Sequence, residues 1–236
     1  MNKDKKLSLT EILQNQRDFL FFNWSKLELY QNQKTFFIWG FIITWIVGIG
    51  RYWDNPRAEI WQILGLGSLS YVFVLTLILY LLIKPLAPEK WTVKNLLLFS
   101  VMTSFPAVLY AIPVERFMSL EAASMCNVIF LAIVAIWRML LYAKLLSDLA
   151  NFKALPKFAA FFSPLLLIVF TLASLNLEHV IFRIMGGLME NEKTANDAAY
   201  VIILLITYCS IYLSPIIILS YIFCIFKRKS NCKVEL

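Results

Sequence analysis

The chain has 236 residues, 60% of them apolar and 16% charged, against roughly 45–50% and roughly 25% in soluble domains. So few charges exclude a soluble domain of this size and make the bilayer the expected solvent for most of the chain. A net charge of +7 would suit nucleic acid, but the basic residues sit in short segments between apolar runs, a pattern that membrane topology explains and that argues against a nucleic-acid partner.

The chain starts with the charged run Met1-Asn2-Lys3-Asp4-Lys5-Lys6, and a mixed polar segment follows. That is not the layout of a cleavable signal peptide, so the first apolar run is expected to serve as its own insertion signal. From Leu7 to Tyr30 the spacing predicts an amphipathic helix. Ser8-Leu9-Thr10-Glu11 has the capping-box spacing, and Leu7 and Ile12 occupy the staple positions. Leu9, Ile12, Leu13, Leu20, Trp24 and Leu27 recur at helical spacing, and such a helix can lie flat among lipid headgroups. Residues 1–34 are read as a cytoplasmic segment carrying this interfacial helix.

Six apolar runs follow, at Thr35–Gly50, Ile60–Ile83, Asn95–Ile112, Met125–Leu146, Phe158–Leu177 and Ala198–Phe226. Each approaches the roughly 17–25 residues that a span needs. The expected fold is all-α: a polytopic transmembrane helical bundle of six spans over residues 35–226, with a basic cytoplasmic tail at 227–236. Between the first two runs, Asp54-Asn55-Pro56 forms a turn signal, so these runs should make a hairpin. Basic residues number six before the first run, three between the second and third, four in the segment from Arg138 to Lys157, and four after the last. The alternate segments hold two, one and two. The positive-inside rule then places both termini in the cytoplasm of a cell whose inner membrane holds the protein.

Three runs contain proline, at Pro106, Pro164 and Pro215. Each removes a helix hydrogen bond and should kink or unwind its span. Ser163-Pro164 and Ser214-Pro215 share a local pattern in which the serine can restore hydrogen bonding to the freed backbone. Broken helices also line transporter sites.

Chemistry-bearing residues fall in two groups. Arg138 lies inside the fourth run, eleven residues after Asn127 and near the same helical face. It can snorkel to the headgroups or face other helices. On the outer side are Arg51, Asp54 and Arg57, then Glu115 and Arg116, then Glu178, His179 and Arg183. These can solvate loops and pair weakly, hold a lipid phosphate through arginine, or stage acid–base chemistry through Glu115 and His179. The sequence carries no His-Glu-x-x-His, Gly-x-Ser-x-Gly or Walker phosphate loop. A single histidine and four cysteines without ligand spacing predict no metal, no cofactor and no structural disulfide. Gly48-x-Gly50 and Gly65-x-Gly67-Ser68 are expected to let membrane helices approach closely.

Leu97-Leu98-Phe99-Ser100 leading to Phe105-Pro106, Ile133-Val134-Ala135-Ile136-Trp137 leading to Lys157, and Phe161-Phe162-Ser163-Pro164-Leu165-Leu166 give residues 65–168 a layout that resembles the bacterial relatives of the Yip family. Five spans are typical of that family, one fewer than the runs counted here. The resemblance implies a non-enzymatic membrane protein, engaged in membrane organisation or trafficking in eukaryotic members, and supplies no catalytic residues. The leading expectation is therefore a scaffold or partner-binding membrane protein whose partners are the bilayer and other membrane proteins. The alternatives are a small-solute transporter and a membrane enzyme with an outer-face polar site.

The topology has a direct test. A single cysteine placed at position 55, in a cysteine-free background, should react with an impermeant label only from the outer side. Labelling only from the cytoplasmic side overturns the assignment.

Overall fold

The computed structural model describes residues 7–24, 31–50, 60–86, 91–148, 152–174 and 196–234, and every regular element among them is helical. Helix α1, Leu9–Leu20, begins with the expected capping box. Ser8 Oγ accepts from the Glu11 N–H at 3.2 Å, and Glu11 Oε2 accepts from the Ser8 N–H at 2.8 Å. The helix ends ten residues before the expected Tyr30. Asn23 N–H donates to the Asp18 carbonyl at 2.8 Å and Phe22 N–H to the Phe19 carbonyl at 3.3 Å, the two bonds of a Schellman close. That close puts Phe22 at φ 63°, where a side chain other than glycine's is uncommon. Packing offsets the strain: Phe22 lies against the core, and the Trp24 ring stacks on Phe19 at 5.2 Å while its N–H donates to the Phe19 carbonyl.

The remaining helices are α2 at Gln33–Gly50, α3 at Ile60–Ile63, α4 at Leu66–Ile83, α5 at Val93–Met102, α6 at Leu120–Asp148, α7 at Ala154–Ser174 and α8 at Asn196–Val234. Two 3-10 segments, Phe105–Ala111 and Val114–Arg116, separate α5 from α6. Among the described residues, five helices, α2, α4, α6, α7 and α8, are long and apolar enough to cross a membrane. Their outer faces carry exposed Ile46, Leu81, Ile136, Leu219 and Phe226, as a bilayer solvent allows. The core joins Phe36, Ile83, Trp91, Leu96, Met102, Leu141 and Leu146.

The run Asn95–Ile112 is not one continuous helix. α5 stops at Met102 and bends by 40° into the 3-10 segment, so among the described residues a sixth span is present only if the bent pair counts as one. Ten residues make α5 about 15 Å long, half the roughly 30 Å of a hydrocarbon core. The second run, Ile60–Ile83, is also interrupted, at Gly65 with φ 72°.

Glycines set the helix spacing around α2. A Cβ on Gly40 would lie 2.6 Å from Val101 Cγ2 and 2.7 Å from Val101 Cβ, and one on Gly50 would collide with Ala111 Cβ. Gly48 and Gly65 face each other, an added Cβ on Gly48 meeting the Gly65 Cα at 2.9 Å. The Trp45 indole N–H donates to the Leu64 carbonyl at 2.9 Å and fastens this turn to α2. Gly67, by contrast, faces only the edge of the Trp61 ring, 3.3 Å from an added Cβ.

Gly40→Ala should therefore destabilise the protein by about 1–3 kcal/mol of overpacking, offset by up to about 1 kcal/mol of helix propensity. Gly67→Ala should melt within error of the parent or above it. A Gly40→Ala protein at least as stable as Gly67→Ala in detergent melts would show that the α2–α5 approach is not set by this glycine.

Candidate functional site

The polar groups of the interior collect at the point where α5 stops. A helix end leaves carbonyls without intrahelical donors, and in a bilayer water does not supply them. Here each one is engaged. The Phe99 carbonyl accepts from Thr103 N–H at 3.0 Å and the Val101 carbonyl from Ser104 N–H at 3.2 Å. The Ser100 carbonyl accepts from the hydroxyls of Thr103 at 2.9 Å and Ser104 at 3.3 Å. The Met102 carbonyl accepts from Gln16 Nε2 at 3.1 Å, and the Thr103 carbonyl from Arg138 Nε at 3.0 Å. From α4, Thr76 Oγ1 reaches Ser100 Oγ at 3.1 Å. Gln16, Thr76, Ser100, Thr103 and Ser104 are all buried to within 3% of full burial.

The reach of α1 explains the buried glutamine. Ile12, Gln16, Phe19 and Leu20 point inward, whereas Leu9, Leu13 and Phe21 remain exposed. Gln16 Oε1 accepts from the Trp39 indole N–H at 3.3 Å, and the Leu20 carbonyl accepts from the Trp137 indole N–H at 3.0 Å. α1 is thereby docked on α2, α5 and α6.

Arg138 is partly buried, with its guanidinium carbon 5.9 Å from the Tyr71 ring centroid on α4, within reach of a cation–π contact. Its bond to Thr103 sets a positive charge at the carbonyl end of α5, where the helix dipole favours it. Asn127 is buried on the same helix. Glu115 and Arg116 lie in the Val114–Arg116 turn, and Arg116 is exposed. Arg51, Asp54, Arg57, Glu178, His179, Arg183 and the side chain of Glu115 lie outside the described residues, and with them the expected outer cluster.

One rule accounts for several of the interior bonds. A proline at position i leaves the carbonyl at i−4 without its helical donor. Pro106 lies four residues after Met102, whose carbonyl is already freed by the end of α5 and is taken up by Gln16. Pro164 frees the Ala160 carbonyl, to which Tyr142 Oη donates at 2.8 Å. Pro215 frees the Ile211 carbonyl, to which Ser214 Oγ donates at 2.7 Å. Serine rescue, expected at both Ser-Pro pairs, operates only at the second. Ser163 Oγ is buried without a hydrogen-bond partner, because Tyr142 from α6 already fills the site. α7 and α8 stay helical through their prolines. Sequence reasoning missed Gln16, Tyr71, Tyr142 and the hydroxyls at 76, 100, 103 and 104. The i−4 rule marks the three acceptors in advance, though not the donors.

At the other end of α4, Tyr221 Oη donates to the Leu82 carbonyl at 2.6 Å and Arg228 Nη1 to the Pro85 carbonyl at 2.8 Å, so α8 closes that helix end in the same manner. Among the described residues, no cluster of His, Cys, Asp or Glu has the makings of a metal site. Compared with protein-family models, with curated proteins and with solved structures, the chain matches none.

If Tyr142 serves the carbonyl that Pro164 frees, the two residues are energetically coupled. Tyr142→Phe should destabilise the Pro164 protein more than the Pro164→Ala protein, by about 0.6–1.7 kcal/mol, the range of interhelical hydrogen bonds measured by double-mutant cycles in membranes. Equal losses in both backgrounds, read by detergent unfolding, would sink the idea.

Proposed function

We propose that the chain is a multi-pass integral membrane protein of the inner membrane, with both termini cytoplasmic and no enzymatic activity, acting as a scaffold that binds other membrane proteins. The observation that carries this reading is the use of the interior polar groups. Gln16, Tyr142 and Arg138 each donate to a backbone carbonyl of another helix or of its end, which fixes helices relative to one another, while Thr103 and Ser104 close the carbonyl end of α5 itself. The split of basic residues between alternate segments supports the orientation. Exposed Leu9, Leu13 and Phe21 support an interfacial position for the outer face of α1. The resemblance of residues 65–168 to the bacterial Yip relatives supports the non-enzymatic role.

A second reading, transport of a small solute, is favoured by the bent pair of α5 and the 3-10 segment, since broken helices line transporter sites. Proteoliposomes separate the two. The scaffold reading expects chloride, phosphate and acetate fluxes equal to those of protein-free liposomes, and a membrane-protein partner retained in stoichiometric amount when the protein is extracted with its native lipids. Flux that exceeds the protein-free control and falls in Arg138→Gln replaces the scaffold with a transporter.

A further inference from the structure

We propose that Arg138 and Tyr71 form an oxyanion site beside the α5 break, accessible from the lipid and taking a carboxylate or phosphate group. The charge on Arg138 is not balanced by its neighbours. A guanidinium has five N–H donors, and the Arg138 hydrogen bond among the described residues is the one from Nε to the Thr103 carbonyl. Nη1 and Nη2 have no partner there, and neither has the Tyr71 hydroxyl, whose ring makes the cation–π contact. Among the described residues, the carboxylates of the surrounding helices are engaged elsewhere: on α1, Glu11 is bonded to Ser8 and Asp18 is paired with Arg17 at 3.2 Å. α2, α4, α5 and α7 contain no Asp or Glu. On α6, Glu121 lies seventeen residues, about 25 Å, from Arg138, and Asp148 is paired with Lys144 at 2.9 Å and lies ten residues, about 15 Å, away. The carbonyl end of α5 supplies roughly half a negative charge, which leaves a net positive site.

Snorkelling does not relieve it. In α6 the Cα–Cβ bonds tilt toward the helix N-terminus, so Arg138 projects away from the Lys144 end, and its Nε is tied to Thr103. An unpaired charge in hydrocarbon is unfavourable, and an oxyanion satisfies the charge and both terminal nitrogens at once through the parallel geometry of the guanidinium fork. Access comes from the side. Tyr71 is 49% exposed on a helix apolar enough to span the membrane, so the site is open at the surface of the bundle, and a phenol in lipid needs a partner. The oxyanion belongs either to an amphiphile in the bilayer, such as an acidic phospholipid or fatty acid, or to a small soluble anion. The inference rests on the membrane placement alone and holds for a scaffold or a transporter.

Binding to the full chain in nanodiscs tests it. One arm compares phosphatidylglycerol in phosphatidylcholine with phosphatidylcholine alone and counts retained lipid by native mass spectrometry. The other titrates inorganic phosphate and acetate into phosphatidylcholine nanodiscs and follows the melting temperature. Saturable binding in the lipid arm alone identifies a headgroup, and saturable binding in the soluble arm identifies a free oxyanion. In whichever arm binds, Arg138→Gln should weaken the interaction at least about tenfold, as expected for losing a charge-assisted bidentate pair. Arg138→Lys keeps the charge and loses the fork, so it should fall between the two. Tyr71→Phe keeps the ring and the fold and should weaken binding about fivefold, the scale of one hydrogen bond. That variant decides the matter if Arg138→Gln does not fold. No saturable binding in either arm, or binding unchanged by Arg138→Gln and Tyr71→Phe, overturns the site.

Discussion

The constraint on which the bundle depends is the need of backbone carbonyls for donors where no water reaches. An unbroken helix meets that need within itself. This chain stops α5 after ten residues, too short to cross a bilayer, and carries proline in two further helices, so side chains must supply the donors. They do so across elements that are distant in sequence. Gln16 is 86 residues from Met102, Arg138 is 35 from Thr103, and Tyr221 is 139 from Leu82. Each bond satisfies an acceptor and locates one helix against another. Interhelical bonds of this type hold helices in lipid, where apolar burial against acyl chains gives little drive for association.

Close packing supplies the second hold. With Gly40 on Val101 and Gly48 on Gly65, α2 reaches backbone-to-backbone distance from α5 and from the turn before α4. That approach brings Trp39 near enough to α1 to engage Gln16. The docking of α1 thus depends on the glycines of α2 as well as on its own inward face. Phe19, Phe99 and Tyr142 continue the contact as a ladder of rings from α1 through α5 to α6.

Much of the frame was legible in the sequence. The capping box at Ser8 and Glu11, the apolar runs that became α2, α4, α6, α7 and α8, and the role of Gly48 and Gly65 all follow from local pattern. The break in α5 was half legible. Pro106 marks it, but the hydroxyls of Ser100, Thr103 and Ser104, which compete for the backbone and help end the helix, read as neutral residues in an apolar run. The early stop of α1 was not legible, because a phenylalanine in the left-handed region carries no local signal and is held there by Trp24 and the core. Nor were the donors at Met102 and Ala160. Proline names the orphaned carbonyl, whereas the side chain that reaches it is chosen by packing between helices.

The choice of arginine at position 138 fits this logic better than lysine would. A lysine ammonium reaching Thr103 is a point charge with its donors arrayed around one nitrogen. Arginine divides the tasks: Nε closes the α5 carbonyl end, the guanidinium meets the Tyr71 ring, and two nitrogens remain without a hydrogen bond among the described residues. Capping a helix end required only the first of these. The other two are not needed for capping, and the guanidinium that carries them sits 5.9 Å from the ring of half-exposed Tyr71.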